Sequence, residues 1–168
     1  TLFLVDKPVN NMVHLRSPKF MHNFAFDHAE LRFEGTTVGE DKMLGKIGQG
    51  LELTKDWFVD RARTYASSRH VFDRPIGKNQ GIQFPIATAY AHVRAADLMR
   101  YEAARLFDAG QPCGGEANMA KMLAADASWE AANACVQTHG GFGFAEEYDV
   151  ERKFRETRLY QVAPISTN

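Results

Sequence analysis

The sequence predicts an α+β protein, in which a partial antiparallel β domain precedes an antiparallel α-helical bundle. Up to about residue 50, apolar and polar residues alternate as they do in half-buried strands. Beyond that point the apolar residues recur at a spacing close to 3.6, which is typical of helices. Turn-forming clusters at 35–37 (GTT) and 45–50 (GKIGQG) mark the end of the first pattern. We therefore place the partial β domain at residues 1–50 and the helical-bundle domain at residues 51–168.

The composition excludes several classes of function. Of the 168 residues, 45% are hydrophobic and 24% are charged, and the formal net charge is -1. Basic and acidic residues are interspersed, so no broad basic face is available for nucleic acid. No apolar run approaches the roughly 18 residues of a membrane span. Cys113 and Cys135 form no metal-binding pattern and fit a reducing compartment. We expect a cytoplasmic protein, or one of the mitochondrial matrix if the source is eukaryotic.

The β region begins inside a predicted strand, TLFLVD, which Pro8 interrupts. Because the chain starts within this strand and without an initiator methionine, we expect it to be a fragment. Alternation is clearest between Phe20 and Val38, where Ala29, Leu31 and Phe33 point one way and charged residues point the other. This strand should therefore have one face in water.

Three helices are predicted, at about 51–66, 80–108 and 116–139. Residues 69–75 connect the first two helices, because Pro75 disfavours helical geometry at the preceding residue. The large apolar residues at helical spacing are expected to form the core: Leu53, Trp57, Phe58, Tyr65, Ile82, Ile86, Tyr90, Val93, Met119, Met122, Leu123, Trp129 and Val136.

Small residues recur along the third helix and let neighbouring helices approach closely. They are Ala117, Ala120, Ala124, Ala127, Ala131 and Ala134. This face predicts tight packing and an oligomer-forming module.

A glycine-rich turn, QTHGGFGF, follows the third helix at residues 137–144. Gly140, Gly141 and Gly143 allow positive φ and close approach of another molecule to the backbone. Exposed backbone N–H groups beside a helix end can contact an anion or a cofactor. A glycine-terminated helix explains the same residues, because many helices end in this way.

Seven short motifs occur in a fixed order along nearly the whole chain. They are FLVD (3–6), FEGTTV (33–38), LGKIGQG (44–50), RHVFDRPI (69–76), NQGIQF (79–84), QTHGGFGF (137–144) and YDVERKFRETRLYQ (148–161). In this order and spacing the chain resembles the acyl-CoA dehydrogenase family, the FAD-dependent enzymes that desaturate acyl-CoA thioesters. The resemblance covers the last part of the family's β domain and its C-terminal helical bundle.

The resemblance implies FAD as the cofactor and a set of residues that contact it. It implies that Arg69 reaches the FAD pyrophosphate of a neighbouring subunit, a task that suits the planar guanidinium fork. It also implies that Phe72 packs beside the cofactor. The other implied contacts are Gln80, Gln137, Gly140, Gly141 and Ser166.

The catalytic base departs from the family pattern. Many members carry a glutamate in the tail, but Pro164 stands at that position and cannot take a proton. Other members place the base on the first bundle helix directly before an arginine, and Asp60–Arg61 is the nearest equivalent here. A base needs a carboxylate whose pKa is raised by burial, within reach of the substrate's α-proton. A solvated helix carboxylate is the alternative interpretation of Asp60. Four other carboxylates compete with it: Glu52, Glu146, Glu147 and Glu151.

A second departure is length, since about 20 residues of the family's long first helix, or ~30 Å, have no counterpart before Arg69. The resemblance implies FAD-dependent α,β-dehydrogenation of an acyl-CoA thioester, with electrons passed to an electron-transfer flavoprotein and a homodimer or homotetramer as the assembly. Two alternatives remain open: a flavin monooxygenase of the same fold, and a non-catalytic oligomerising bundle, which Pro164 and the short helix favour.

Overall fold

The structure is a computed structural model that describes residues 2–5, 8–18, 29–44, 57–163 and 166. The chain divides into two compact units, Thr1–Thr54 and Lys55–Asn168. The domain boundary predicted near residue 50 lies outside the described residues and stays a prediction.

The first unit contains short antiparallel strands. Strand β1 (Leu2–Phe3) pairs with β4 (Met43–Leu44), and β2 (Met12–Arg16) pairs with β3 (Glu30–Phe33). The predicted antiparallel β region is therefore confirmed, whereas β2 is a strand that the sequence did not predict. Its residues are exposed or half-buried, so no apolar face marked it.

The described residues of the second unit form a bundle of four helices. They are α1 (Trp57–Ser68), α2 (Gln80–Asp108), α3 (Gly114–His139) and α4 (Val150–Thr157). The hairpin of β5 (His70–Val71) and β6 (Arg74–Pro75) connects α1 to α2. Short 3-10 turns lie at Glu40–Lys42, Ile76–Lys78, Gly140–Phe144, Glu146–Tyr148 and Arg158–Gln161. The fold class predicted from the sequence is confirmed.

Among the described residues, the predicted helix bounds differ from the observed ones at two ends, the end of α1 and the start of α3. Helix α2 has the predicted bounds, and α1 ends two residues beyond the predicted end; its predicted start lies outside the described residues. Helix α3 begins at Gly114, because Gly114 and Gly115 belong to its first turn instead of the preceding loop. The first-turn N–H groups have no partner within a helix, so glycine is tolerated there.

The core consists mainly of small side chains where α1, α2, α3 and α4 meet. Two buried clusters form it: Val59, Ala89 and Ala131 in one, and Ala62, Cys135 and Val150 in the other. Such small residues allow close approach of the helices. Cys135 is fully buried, and Cys113 directly precedes α3.

Several residues predicted to be core are exposed. Tyr90 is 47% exposed, and Met119 and Met122 are exposed as well. Ala117 and Ala124 of the predicted alanine face are also exposed. Helical periodicity identifies the apolar side of a helix, but it does not show whether another element covers that side. No other described element covers these positions.

Candidate functional site

The glycine-rich turn begins where α3 ends. Gly140 has φ 58° and ψ -133°, and its N–H donates a hydrogen bond to the Gln137 carbonyl. A residue with a Cβ is strained at this φ, so the turn requires glycine at position 140. Residues 140–144 then form a single 3-10 segment that leads towards α4.

Gly141 and Gly143 lack a side chain for different reasons. A Cβ at Gly143 would lie 2.7 Å from the Val136 carbonyl oxygen, so packing within the chain excludes it. A Cβ at Gly141 would meet nothing within 4 Å, and its φ is not in the left-handed region. Neither packing nor backbone conformation within the described chain explains glycine at position 141. The exposed backbone there leaves room for the close approach of another molecule.

Arg69 lies beside the same turn. Its guanidinium carbon is 5.9 Å from the centroid of the Phe142 ring, a cation–π geometry. Arg69 is exposed and directly precedes β5. The structure thus brings together five residues that we call the glycine-turn surface: Arg69, Gln137, Gly140, Gly141 and Phe142. Four of the five are predicted cofactor contacts.

An aromatic stack lies beneath this surface. The rings of Tyr65 and His139 are stacked with centroids 4.1 Å apart, and Tyr148 meets His139 edge-on at 5.8 Å. Tyr148 also contacts Phe142, at 5.3 Å between centroids. The sequence predicted Tyr65 as core and did not predict His139 or Tyr148. Contacts between rings that belong to separate elements produce no periodic pattern in the sequence.

Burial shifts the pKa of two groups beside this stack, Cys135 and His139. Burial raises the pKa of the Cys135 thiol to about 12, so this thiol is not a nucleophile at neutral pH. Burial also lowers the pKa of His139; the hydrogen bond to the Cys135 carbonyl opposes this effect and the Arg61 charge adds to it. The imidazole is therefore neutral at pH 7.

The other predicted cofactor contacts are more dispersed. Phe72 is 94% exposed at the tip of the β5–β6 hairpin, Gln80 is the exposed first residue of α2, and Ser166 is exposed near the end of the chain. Their roles stay predictions. Three His, Cys, Asp or Glu side chains do not come together as a metal site anywhere in the described part of the chain.

The tip of this hairpin holds two non-glycine residues in left-handed geometry, with φ 53° at Phe72 and 62° at Asp73. Two-residue hairpin turns of this kind favour glycine at the second position. We expect Asp73→Gly to raise the free energy of unfolding by about 0.5–1 kcal/mol, since relief of left-handed strain outweighs the added freedom of the unfolded chain. Urea denaturation measures it. A loss of stability would contradict the strain argument; Asp60→Gly, inside α1, should instead destabilise.

The predicted catalytic pair, Asp60 and Arg61, faces two different surroundings. Arg61 lies over the Trp57 ring at 5.2 Å, and its charge acts on Cys135 and His139. The Asp60 carboxylate is 63% exposed and pairs with Arg63 at 3.3 Å. Neighbouring residues on a helix point about 100° apart, so the two side chains leave the helix in different directions.

Asp60 lines a cleft of about 520 Å³ between α1 and α2. Its walls are largely apolar and include Val59, Ile82 and Ile86, with Arg63 and Gln83 as polar neighbours. None of the residues that line this cleft belongs to the glycine-turn surface. The cleft beside the predicted base is thus lined by other residues than the glycine-turn surface, and the assignment of Asp60 stays a prediction.

Comparison with known proteins agrees with this architecture. The described residues define the class as an α+β protein, in which an antiparallel β unit precedes a helical bundle with an exposed glycine turn. Residues 54–164 match the family model described as acyl-CoA dehydrogenase, C-terminal domain. The chain belongs to the acyl-CoA dehydrogenase family.

Three relatives illustrate the similarity. The 3-(aryl)acrylate reductase of Clostridium sporogenes is 40% identical over 96% of this chain and 48% of its own length. The rat mitochondrial short/branched chain specific acyl-CoA dehydrogenase is 32% identical over 100% of this chain and 43% of its own. Glutaryl-coenzyme A dehydrogenase, solved with glutaryl-CoA, superimposes with a TM-score of 0.71 at 26% identity, over 99% of this chain and 47% of that one. The chain thus spans about half the length of these relatives.

The alignment with the rat enzyme extends over 187 positions, although the chain has 168 residues. At least 19 positions of the alignment therefore have no counterpart in this chain. The number agrees with the roughly 20 residues predicted to be missing. The position of the missing residues in the first helix stays a prediction.

Proposed function

We propose that the protein is an FAD-dependent oxidoreductase that removes the α and β hydrogens of an acyl-CoA thioester. The glycine-turn surface carries this proposal. It combines an exposed cation, Arg69, with a glycine, Gly141, that the chain's own packing does not require. Because the chain belongs to the acyl-CoA dehydrogenase family, we propose this surface as the contact for a phosphate-bearing cofactor.

The residues of the surface fit the adenosine-diphosphate part of FAD. Arg69 would pair with a pyrophosphate oxygen of the FAD that a neighbouring subunit holds, as the family resemblance implies. The bare backbone at Gly140–Gly141 would accept close contact, and the exposed Gln137 amide offers both a donor and an acceptor. Phe72, Gln80 and Ser166 are proposed as further contacts.

The chemistry that FAD supplies when bound is the acceptance of the β-hydrogen as a hydride. The chain's own task is then to take the α-proton and to orient the thioester. Asp60 is the proposed base, because its carboxylate stands at the rim of an apolar cleft. We propose an electron-transfer flavoprotein as the partner that receives the electrons.

The experiment that tests this proposal is the visible absorbance spectrum of the purified protein, before and after addition of an acyl-CoA thioester. Bound oxidised flavin that bleaches under anaerobic conditions is the expected result. A folded, colourless protein that does not take up added FAD would favour the non-catalytic bundle. Flavin that consumes oxygen without desaturating the thioester would favour the monooxygenase.

A second candidate function is reduction of the same kind of bond. The observation that favours it is the 40% identity to the 3-(aryl)acrylate reductase. Reduction adds hydrogen at the two carbons from which dehydrogenation removes it, so the same surface and cleft would serve. Reoxidation of the reduced protein by a 3-arylacrylate, with no flavin bleaching by saturated acyl-CoA, would establish this direction.

Arg69→Ala is expected to weaken FAD affinity about tenfold to a hundredfold, because a charge-assisted phosphate contact contributes about 1.5–3 kcal/mol. Titration of the apoprotein with FAD, followed by flavin fluorescence, measures it. Arg105→Ala is the matched control: Arg105 is an exposed arginine of α2 that pairs with Glu102, away from the glycine turn. Equal FAD affinities for the two variants would show that Arg69 is a solvated turn residue and does not contact the phosphate.

We expect the protein to form a homodimer or homotetramer. Large apolar side chains are exposed on α2 and α3, and a second copy would bury them: Phe84, Leu98, Tyr101, Phe107, Met119 and Met122. Light scattering over a wide concentration range measures the mass. A monomer at all concentrations would contradict both the assembly and a site shared between subunits.

The compartment follows from the same proposal. Both cysteines are free, and a reducing compartment, either the cytoplasm or the mitochondrial matrix of a eukaryote, fits them. In the part of the chain that the structure describes, no helix has the length and apolarity of a membrane span.

A further inference from the structure

His139 is the last residue of α3 and directly precedes Gly140. It is 5% exposed, although histidine as a residue type is only intermediate in burial. A buried, titratable ring beside the glycine turn is not used by any step proposed above. Its contacts indicate what it does there.

The imidazole is held from two directions. Its Nδ1 lies 2.8 Å from the Cys135 carbonyl oxygen, and since a carbonyl can only accept, Nδ1 carries the proton and donates. The ring stacks on Tyr65 of α1 at 4.1 Å and meets Tyr148 edge-on at 5.8 Å. His139 thus joins the end of α3 to α1 and to the segment before α4.

The stack continues to the proposed phosphate contact. Tyr148 packs on Phe142, with the two ring centroids 5.3 Å apart. The Arg69 guanidinium lies over the Phe142 ring, 5.9 Å from its centroid. A shift of the His139 ring would therefore be transmitted to both Gly140, its neighbour in sequence, and Arg69. Side chains packed in this way have few alternative arrangements.

We propose that His139 is a positioning residue of the flavin site, whose neutral imidazole holds the glycine turn and, through Tyr148 and Phe142, Arg69 in the arrangement that binds the FAD phosphates. This inference rests on the proposed function, because it assigns His139 to that same site. In this role His139 acts through Gly140, Tyr148 and Phe142.

Acid should disturb this arrangement, because a proton on His139 places a buried cation near Arg61. The groups that face the imidazole are Arg61 and Tyr65 of α1, Tyr148, and Cys135 of its own helix. The pKa of Cys135 is raised to about 12, so its thiol supplies no compensating negative charge.

The direction of the pH dependence follows from the lowered pKa of His139. A lowered pKa means that the folded state favours the neutral ring, so its contribution is fully present above the ordinary value of 6.5. It is lost as the pH falls through the lowered value. FAD affinity should fall over the same range, with a slope of at most about tenfold per pH unit for one proton.

The test is FAD titration of the full chain between about pH 8 and about pH 5. His139→Phe keeps an aromatic ring but cannot be protonated, so its affinity should stay flat where that of the unaltered protein falls. His139→Ala loses the ring and should bind FAD about three- to tenfold more weakly at the upper pH, as expected for a lost aromatic pair. Asn133→Ala is the control, because Asn133 makes the equivalent bond to the Trp129 carbonyl at an exposed position of the same helix.

The outcomes separate the inference from the function on which it rests. If the unaltered protein binds no FAD at any pH, the proposed function fails and the inference fails with it. If it binds FAD but His139→Phe shows the same acid-side loss, the function stands and the inference is overturned. If His139→Ala does not fold, the inference is tested by His139→Phe and by an NMR titration of the His139 imidazole in the unaltered protein. FAD saturation must lower the pKa of His139 further, and an unchanged value would overturn the inference.

Discussion

Gly143→Ala is expected to lower the free energy of unfolding by about 1–3 kcal/mol, the usual cost of overpacking a closely packed site. The new Cβ would stand 2.7 Å from the Val136 carbonyl oxygen and 3.2 Å from both the Val136 Cα and Cγ1. Two of these three atoms belong to the backbone of α3, which cannot rotate away as a flexible side chain can. Urea denaturation of the full chain, followed by circular dichroism, measures the loss.

Gly141→Ala is the matched control for this substitution, two residues away in the same turn. Its Cβ would meet no atom of the chain within 4 Å, so we expect stability to change by less than about 0.5 kcal/mol. FAD affinity should fall instead, because the methyl group occupies the space left for the cofactor. Equal destabilisation by both substitutions would contradict the packing argument. A Gly141→Ala protein with unaltered stability and unaltered FAD affinity would remove the ligand-based explanation of that glycine.

The helices were predictable from the sequence where their signals are local. Asn79 precedes α2 and Gly110 follows it closely, and the long apolar period between them fixes both ends. The buried face of α1 was less predictable. Its deepest side chains are Val59, Ala62 and Ala66, whereas the larger Trp57 and Phe58 are half-buried. Alanine contributes little to an apolar pattern, so the position of closest helix packing has a weak signal.

The site was predictable in its parts and not in its arrangement. The glycine motif and the arginine are visible as motifs, but the contact between Arg69 and Phe142 joins segments that are remote in sequence. The burial of His139 depends on Tyr65 and Tyr148, which belong to two other elements. Tertiary contacts of this kind leave no periodic trace in one sequence. The different directions of the Asp60 and Arg61 side chains, by contrast, could be predicted from the sequence, because adjacent residues of a helix always point in different directions.

Asp60→Asn is expected to reduce the rate of flavin reduction by acyl-CoA at least about a hundredfold, the usual effect of losing a general base. The substitution preserves the size of the side chain and removes its ability to take a proton. The carboxylate is 63% exposed, so catalysis by Asp60 requires that the bound substrate excludes water from it. An acyl chain along Ile82 and Ile86 would do this, since these residues form part of the apolar wall beside Asp60.

Stopped-flow reduction of the bound flavin measures the chemical step separately from substrate binding. FAD affinity should be unchanged, because Asp60 lies outside the glycine-turn surface. Asp126→Asn is the control, since Asp126 is an exposed carboxylate of α3 that accepts a hydrogen bond from Gln161, and the rate should not change. Reduction at the unaltered rate in Asp60→Asn would eliminate Asp60 as the base. Because Pro164 cannot take a proton, dehydrogenation would then need one of the remaining carboxylates, of which Glu146, Glu147 and Glu151 lie nearest the glycine turn in sequence.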